Sequence, residues 1–237
     1  MYTELAHILL DVCMHILLLN PNTNAQTTTM MVGLVQQQLP AGWQVCGMTA
    51  SDGVPLIANE AELEAAAAQV QSCWAQALQS PDVRWDGVIL ACFADPAIAW
   101  LRKVSGIPCV GIGEAALRAA SAGKRRFGIA TTTPELDVPM RAMVQRLGLE
   151  DLYTGARYTA GRPAQVVAQT EVLNQQLYLA VQHCVSRDGA QSVVIGGGPL
   201  GQAAQALAAH TNTPLIAPLT AAAQWMQHSL TSSFTAS

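Results

Sequence analysis

Gly87-Val88-Ile89-Leu90-Ala91-Cys92-Phe93-Ala94-Asp95-Pro96 is the stretch on which the fold turns. Its first half is an unbroken apolar run of strand length, and its second half carries a turn signal. A run with no polar alternation fits a strand buried on both faces, as in a parallel sheet covered by helices. About 105 residues further on, Val193-Val194-Ile195-Gly196-Gly197 followed by Pro199 has the same form. Two more pairs keep that relation. Ile107-Pro108-Cys109-Val110-Gly111 corresponds to Thr213-Pro214-Leu215-Ile216-Ala217, and Leu17-Leu18-Leu19-Asn20-Pro21 to Gly128-Ile129-Ala130-Thr131-Thr132. The chain therefore contains an internal repeat.

Working outward, apolar runs predict strands at 15–20, 44–49, 87–92 and 108–112, then at 126–131, 152–158, 192–196 and 214–217. Ala-, Gln- and Leu-rich segments predict helices near 25–39, 60–79, 96–104, 114–122, 135–147, 163–186 and 199–210. Alternation at this spacing predicts an α/β fold of two pseudo-symmetric, four-stranded parallel-sheet (flavodoxin-like) halves. Residues 14–112 plus 214–237 form the first half and 113–213 the second, with 1–13 as an N-terminal extension. Ligands of open parallel sheets bind beyond the C-terminal strand ends. The active site is therefore expected in the cleft between the halves, from loops 20–24, 92–96, 131–134 and 197–201.

Composition excludes several classes. Of 237 residues 51% are hydrophobic and 12% charged, with a net charge of −4. The apolar content argues against disorder, and no run reaches the roughly 18–20 apolar residues that span a bilayer. The first 83 residues hold no Lys or Arg, so 5–19 lacks the basic start of a signal peptide. No segment is basic enough to neutralise a run of phosphates, and Lys124-Arg125-Arg126 reads as a solvated turn. Six dispersed cysteines form no CxxC and have no His at metal spacing, so no metal site is expected. A cytoplasmic protein with reduced thiols follows. Its apolar surplus points to a homo-oligomer, and its partner is a small-molecule substrate, not nucleic acid or membrane.

The loops carry the chemistry. Cys92 ends a buried strand just before Asp95-Pro96, a helix-start signal with Asp as N-cap and Pro in the first turn. A thiol facing such a helix N-terminus is favoured as thiolate. It reads either as a base or nucleophile or as a buried strand-end cysteine. Asn20, Asn22 and Thr23 offer amides and a hydroxyl to a small polar ligand, and Thr131 and Thr132 offer hydroxyls in the second half. These residues also suit ordinary capped turns. Gly196-Gly197-Gly198-Pro199-Leu200-Gly201 contains GxGxxG, but no Asp or Glu follows Asp188 to hold a ribose, which argues against a dinucleotide. The loops hold no Arg or Lys, which favours a neutral or monoanionic ligand over a dianion.

Asn20-Pro21-Asn22-Thr23, Ala91-Cys92-Phe93-Ala94-Asp95-Pro96 and Gly111-Ile112-Gly113-Glu114-Ala115-Ala116 together resemble the Asp/Glu/hydantoin racemase superfamily, in its hydantoin and allantoin racemase branch. The resemblance runs from Met14 to about Met226. It implies a cofactor-independent racemase or epimerase of a hydantoin, ureide or amino-acid derivative. In such enzymes two cysteines face each other across the α-carbon, one removing a proton and one returning it. Carried onto this chain, the first cysteine is Cys92, with Phe93 beside it. Asn20 and Thr23, then Thr131 and Thr132, form the two polar loops. The second cysteine falls at Gly197, next to Gly198, and the internal repeat reaches the same position. Cys184 precedes its strand and is no substitute. The departure leaves three readings: racemisation with another group completing the relay, a single-cysteine decarboxylation or one-sided isomerisation, or a silent ligand-binding protein. Single-cysteine decarboxylases of the family keep the second-half cysteine, the reverse of this chain.

Overall fold

The computed structural model describes residues 13–79 and 83–235; apart from Cys13, the expected extension 1–13 lies outside them. Eight strands form two parallel sheets: β1 His15–Asn20, β2 Gln44–Thr49, β3 Gly87–Leu90 and β4 Cys109–Gly111, then β5 Phe127–Thr131, β6 Tyr153–Tyr158, β7 Ser192–Gly196 and β8 Leu215–Ile216. The sheet orders are β2-β1-β3-β4 and β6-β5-β7-β8, the same arrangement twice. Register confirms the repeat residue by residue. Leu19 pairs with Leu90 and Ala130 with Ile195. Val88 pairs with Cys109 and Val193 with Leu215. Cys92 and Gly197 therefore follow their strands at equivalent positions.

The central strands explain the apolar runs. β3, β5 and β7 are buried along their whole length, whereas the edge strands β2 and β6 are half-exposed and correspondingly more polar. Each fully buried Leu or Ile contributes about 1.5–3 kcal/mol. The helices are α1 Ala25–Gln36, α2 Glu60–Ala77, α3 Ile98–Ser105, α4 Ile112–Ser121, α5 Asp137–Arg146, α6 Pro163–Val167, α7 Thr170–Ser186, α8 Gly201–Ala208 and α9 Pro218–Thr235.

Two expectations are corrected. The single helix expected over 163–186 is two, α6 and α7, broken at Ala168 and Gln169. Helix α9 was not expected at all, although Pro218 in its first turn is a start signal. It buries Leu219, Ala222, Ala223 and Met226 in the core of the first half, with Ile16, Leu18 and Ile89. Residues 215–216 belong to the second sheet through β8 and β7, so the chain returns to the first half only with α9. Among the described residues no helix is long and apolar enough to cross a membrane.

Candidate active site

A cavity of about 50 Å³ lies at the C-terminal ends of both sheets. One water requires about 10–15 Å³ on this measure, so the space is small but not closed to a ligand group. Its wall takes Asn22 from the loop after β1, Cys92 and Phe93 from that after β3, Thr132 and Thr133 from that after β5, and Gly196, Gly197 and Gly198 from the end of β7 and its loop. All four loops nominated from the repeat contribute.

The expected residues divide into those that face the cavity and those that support them. Asn22, Cys92, Phe93, Thr132, Gly197 and Gly198 line it; Asn20, Thr23 and Thr131 do not. Asn20 is fully buried, and its Nδ2 donates to Asn22 Oδ1 and Thr28 Oγ1, both at 2.9 Å. Asn22 Oδ1 also accepts from the Asn24 N–H at 2.9 Å, which leaves the Asn22 Nδ2 without a protein partner among the described residues. Thr23 donates its backbone N–H to the Val54 carbonyl at 3.0 Å, tying the first loop to the chain after β2. Thr131 Oγ1 donates to the Gly196 carbonyl at 2.6 Å and so pins the end of β7 beside β5. These three side chains or backbone groups are consumed in holding the loops.

Asp95 does not cap the helix that follows it. Asp95 (φ 52°) and Ala97 (φ 55°) are both left-handed, and α3 begins only at Ile98. The Asp95 carboxylate instead accepts from the N–H groups of Gly113 at 2.9 Å and Glu114 at 2.6 Å, at the start of α4. It thereby fills two donors that a helix N-terminus leaves open. Glycines make this approach possible: a Cβ on Gly111 would lie 2.1 Å from the Asp95 Cγ.

That geometry removes the basis on which Cys92 is expected as thiolate: Asp95 does not cap α3, which begins only at Ile98, and the open N–H groups at the start of α4 are taken by Asp95. Burial pushes the Cys92 thiol up to about 12, with Asp95 adding to the rise and an Ala94 N–H working against it. Burial also pushes the Asp95 carboxyl up to about 7, against the two N–H groups that favour its ionised form. Glu114 nearby is raised by burial, but hydrogen bonds from Arg102 and Arg118 outweigh this and hold it below the usual carboxylate range.

The opposite wall carries glycine. Gly197 has φ 144°, a backbone conformation that side chains resist, and a Cβ there would stand 3.2 Å from Leu200 Cγ. Cys184, fully buried, has its Sγ 3.7 Å from the Ile129 carbonyl, behind the sheet. Among the lining residues Cys92 alone has a titratable side chain. Among the described residues, no three His, Cys, Asp or Glu side chains gather as metal ligands.

The remaining wall was missed in the sequence: Leu56, Ile57, Leu136, Met140 and Val167, with Leu200 from the nominated loop, make it largely apolar. The repeat held a usable signal. Leu56 and Ile57 follow β2, and Val167 follows β6, its pseudo-symmetric equivalent. Extending the argument from four strand ends to six would have nominated both segments.

The Asp/Glu/Hydantoin racemase family model matches residues 16–226. A hydantoin racemase of Rhizobium meliloti is 27% identical over 210 residues, covering 88% of this chain and 86% of that protein. An allantoin racemase from Klebsiella pneumoniae is 25% identical with a TM-score of 0.82, over 93% of this chain and 89% of the other. An allantoin racemase from Pseudomonas fluorescens is 20% identical with a TM-score of 0.84, over 91% and 90%, and speaks for the fold.

Proposed function

This chain belongs to the Asp/Glu/hydantoin racemase family, and from that premise we propose that it is a cofactor-independent isomerase acting on a carbon acid of the hydantoin, ureide or amino-acid-derivative class, with Cys92 as proton carrier. The observation that carries the reading is Cys92, the single titratable side chain in a mostly apolar cavity where both sheets end. The Cys92 thiolate removes the proton α to a carbonyl on one face and water at the glycine wall returns a proton to the other, the roles reversing for the opposite enantiomer. An unaided thiolate is too weak for this proton, so donors aimed at the developing enolate oxygen must supply much of the stabilisation. The Asn22 Nδ2 and the Thr132 hydroxyl, neither hydrogen-bonded to protein among the described residues, are the groups available for that role. With no cation in the wall, the substrate is neutral or singly charged. The enzyme so described is cytosolic and homo-oligomeric and needs neither metal nor nucleic acid.

Gly197 favours a second reading, in which one face alone is served and the reaction is a stereoretentive exchange or a decarboxylation through the same enolate. Incubation of 5-substituted hydantoins, allantoin and an arylmalonate in D₂O separates the two. Deuterium uptake with inversion is the expected result, water serving the glycine face. Uptake with retention, or carbon dioxide release, transfers the assignment to the second reading. No exchange with any of them overturns both.

Gly197→Cys bears on the same question. The left-handed backbone and Leu200 together are expected to cost about 1–3 kcal/mol of stability, read from the urea midpoint. The added thiol should raise the ratio of inversion to exchange, and an unchanged ratio would count against a proton-donating role for that wall.

A further inference from the structure

The Asn22 amide is aimed by a chain of hydrogen bonds that begins outside the cavity. Asn22 Oδ1 accepts from Asn20 Nδ2 and from the Asn24 N–H, both at 2.9 Å. Two donors at that end fix the amide, because a flipped side chain would set its own NH2 group against both. The cavity therefore receives the Nδ2 end, a donor. Asn20 is fixed in its turn. Its Nδ2 also donates to Thr28 Oγ1 at 2.9 Å, and its Oδ1 accepts the Asn22 N–H at 3.3 Å. Thr28 stands in the first turn of α1 and does not line the cavity. Its Oγ1 lies 2.6 Å from Thr49 Oγ1 at the end of β2 and 3.3 Å from the Asn24 carbonyl. Thr28, Asn20 and Asn22 are all buried, so a partner lost from this chain leaves a polar group unmet.

We propose that Thr28 is a positioning residue: through Asn20 it holds the Asn22 amide with Nδ2 toward the developing enolate oxygen. The proposal rests on reading the cavity as a proton-transfer site in which Asn22 serves as oxyanion donor. A threonine hydroxyl suits this place because it accepts from Asn20 while its own proton goes onward, to Asn24 or Thr49. Valine has the same shape and can do neither. Without that acceptor the Asn20 amide has only the Asn24 carbonyl, 3.4 Å from its Nδ2, to turn to. That turn draws it off Asn22, whose amide is then held by the Asn24 N–H alone. A donor aimed at a charge that develops during the reaction acts on the transition state more than on the bound substrate.

Outright loss of an oxyanion donor costs about 10²–10³ in turnover, so Thr28→Val, which misaims one, should lower kcat for α-proton exchange about tenfold or more. KM should move far less, and Thr28→Ser should restore most of the rate. In an Asn22→Ala background Thr28→Val should add less than about a twofold loss, because its effect runs through an amide that is no longer there. Equal losses in the two backgrounds, or no rescue by serine, would mark Thr28 as merely structural and overturn the proposal. A second readout needs no turnover. Solvent exchange of the Asn20 side-chain amide protons, followed by NMR in ¹⁵N-labelled protein, should quicken about tenfold or more in Thr28→Val. Unchanged protection would overturn the proposal. Should that variant fail to fold, the native protein decides: Asn20 amide protons that exchange as fast as those of an exposed asparagine overturn the proposal, and protected ones uphold it. Substrate exchange persisting in Cys92→Ala would defeat the proton-carrier reading while leaving the amide protection unaffected, so the two failures are distinguishable.

Discussion

Cys92→Ala is expected to lower α-proton exchange by a factor on the order of 10²–10⁴, the usual worth of a positioned acid or base. The size follows from the absence of a stand-in. The rest of the cavity wall is apolar or carries amides and hydroxyls of ordinary acidity, and Cys184 is shut behind the sheet. Folding should change little, because the Cys92 side chain is small and lines the cavity. The measurement is deuterium uptake by the best substrate at matched protein concentration, with the urea midpoint as control. Exchange within a few-fold of the native rate in a folded variant would remove Cys92 from the mechanism.

Gly113→Ala is expected to destabilise the protein by about 3 kcal/mol or more, at the upper end of what overpacking costs. An added Cβ would stand 1.8 Å from the Phe93 carbonyl oxygen and 2.9 Å from the Met143 thioether. The methionine can yield, but the carbonyl is backbone, in the loop that carries Cys92. Relief requires α4 to draw back from that loop, which breaks the Asp95 bonds to the Gly113 and Glu114 N–H groups. Alanine normally stabilises a helix relative to glycine, so a loss here isolates the contact from helix propensity. Denaturation in urea reads it directly, and a midpoint equal to the native one would show that the loop and helix are not locked together.

How far the sequence could be read differs between the strands and the site. Strands β1 and β7 begin and end where their apolar runs do, because a parallel strand buried on both faces leaves little choice of residue. The repeat carried more than the individual strands. It placed Cys92 opposite Gly197 by register, before any contact was known. Helix boundaries were less legible: 96–104 begins late because Asp95 and Ala97 are left-handed, a conformation with no sequence mark in a non-glycine residue. Polar loop residues were legible as a group but not individually. Asn20 and Asn22 have the same side chain two positions apart; one is spent on Asn22 and Thr28, and the other faces the cavity.

By itself the sequence determined two like sheets, the loops that meet at their C-terminal ends, a thiol on one side and a glycine on the other. All of these rest on local pattern and repetition, which neighbouring residues along the chain are enough to specify. Only the tertiary structure decided where the charge of Asp95 goes. Its partners are 18 and 19 positions away, and the open donors of a helix are met by whichever acceptor folding brings near. That placement fills the open donors at the start of α4 and ties the loop after β3 to that helix, a partnership that spacing along the chain cannot express.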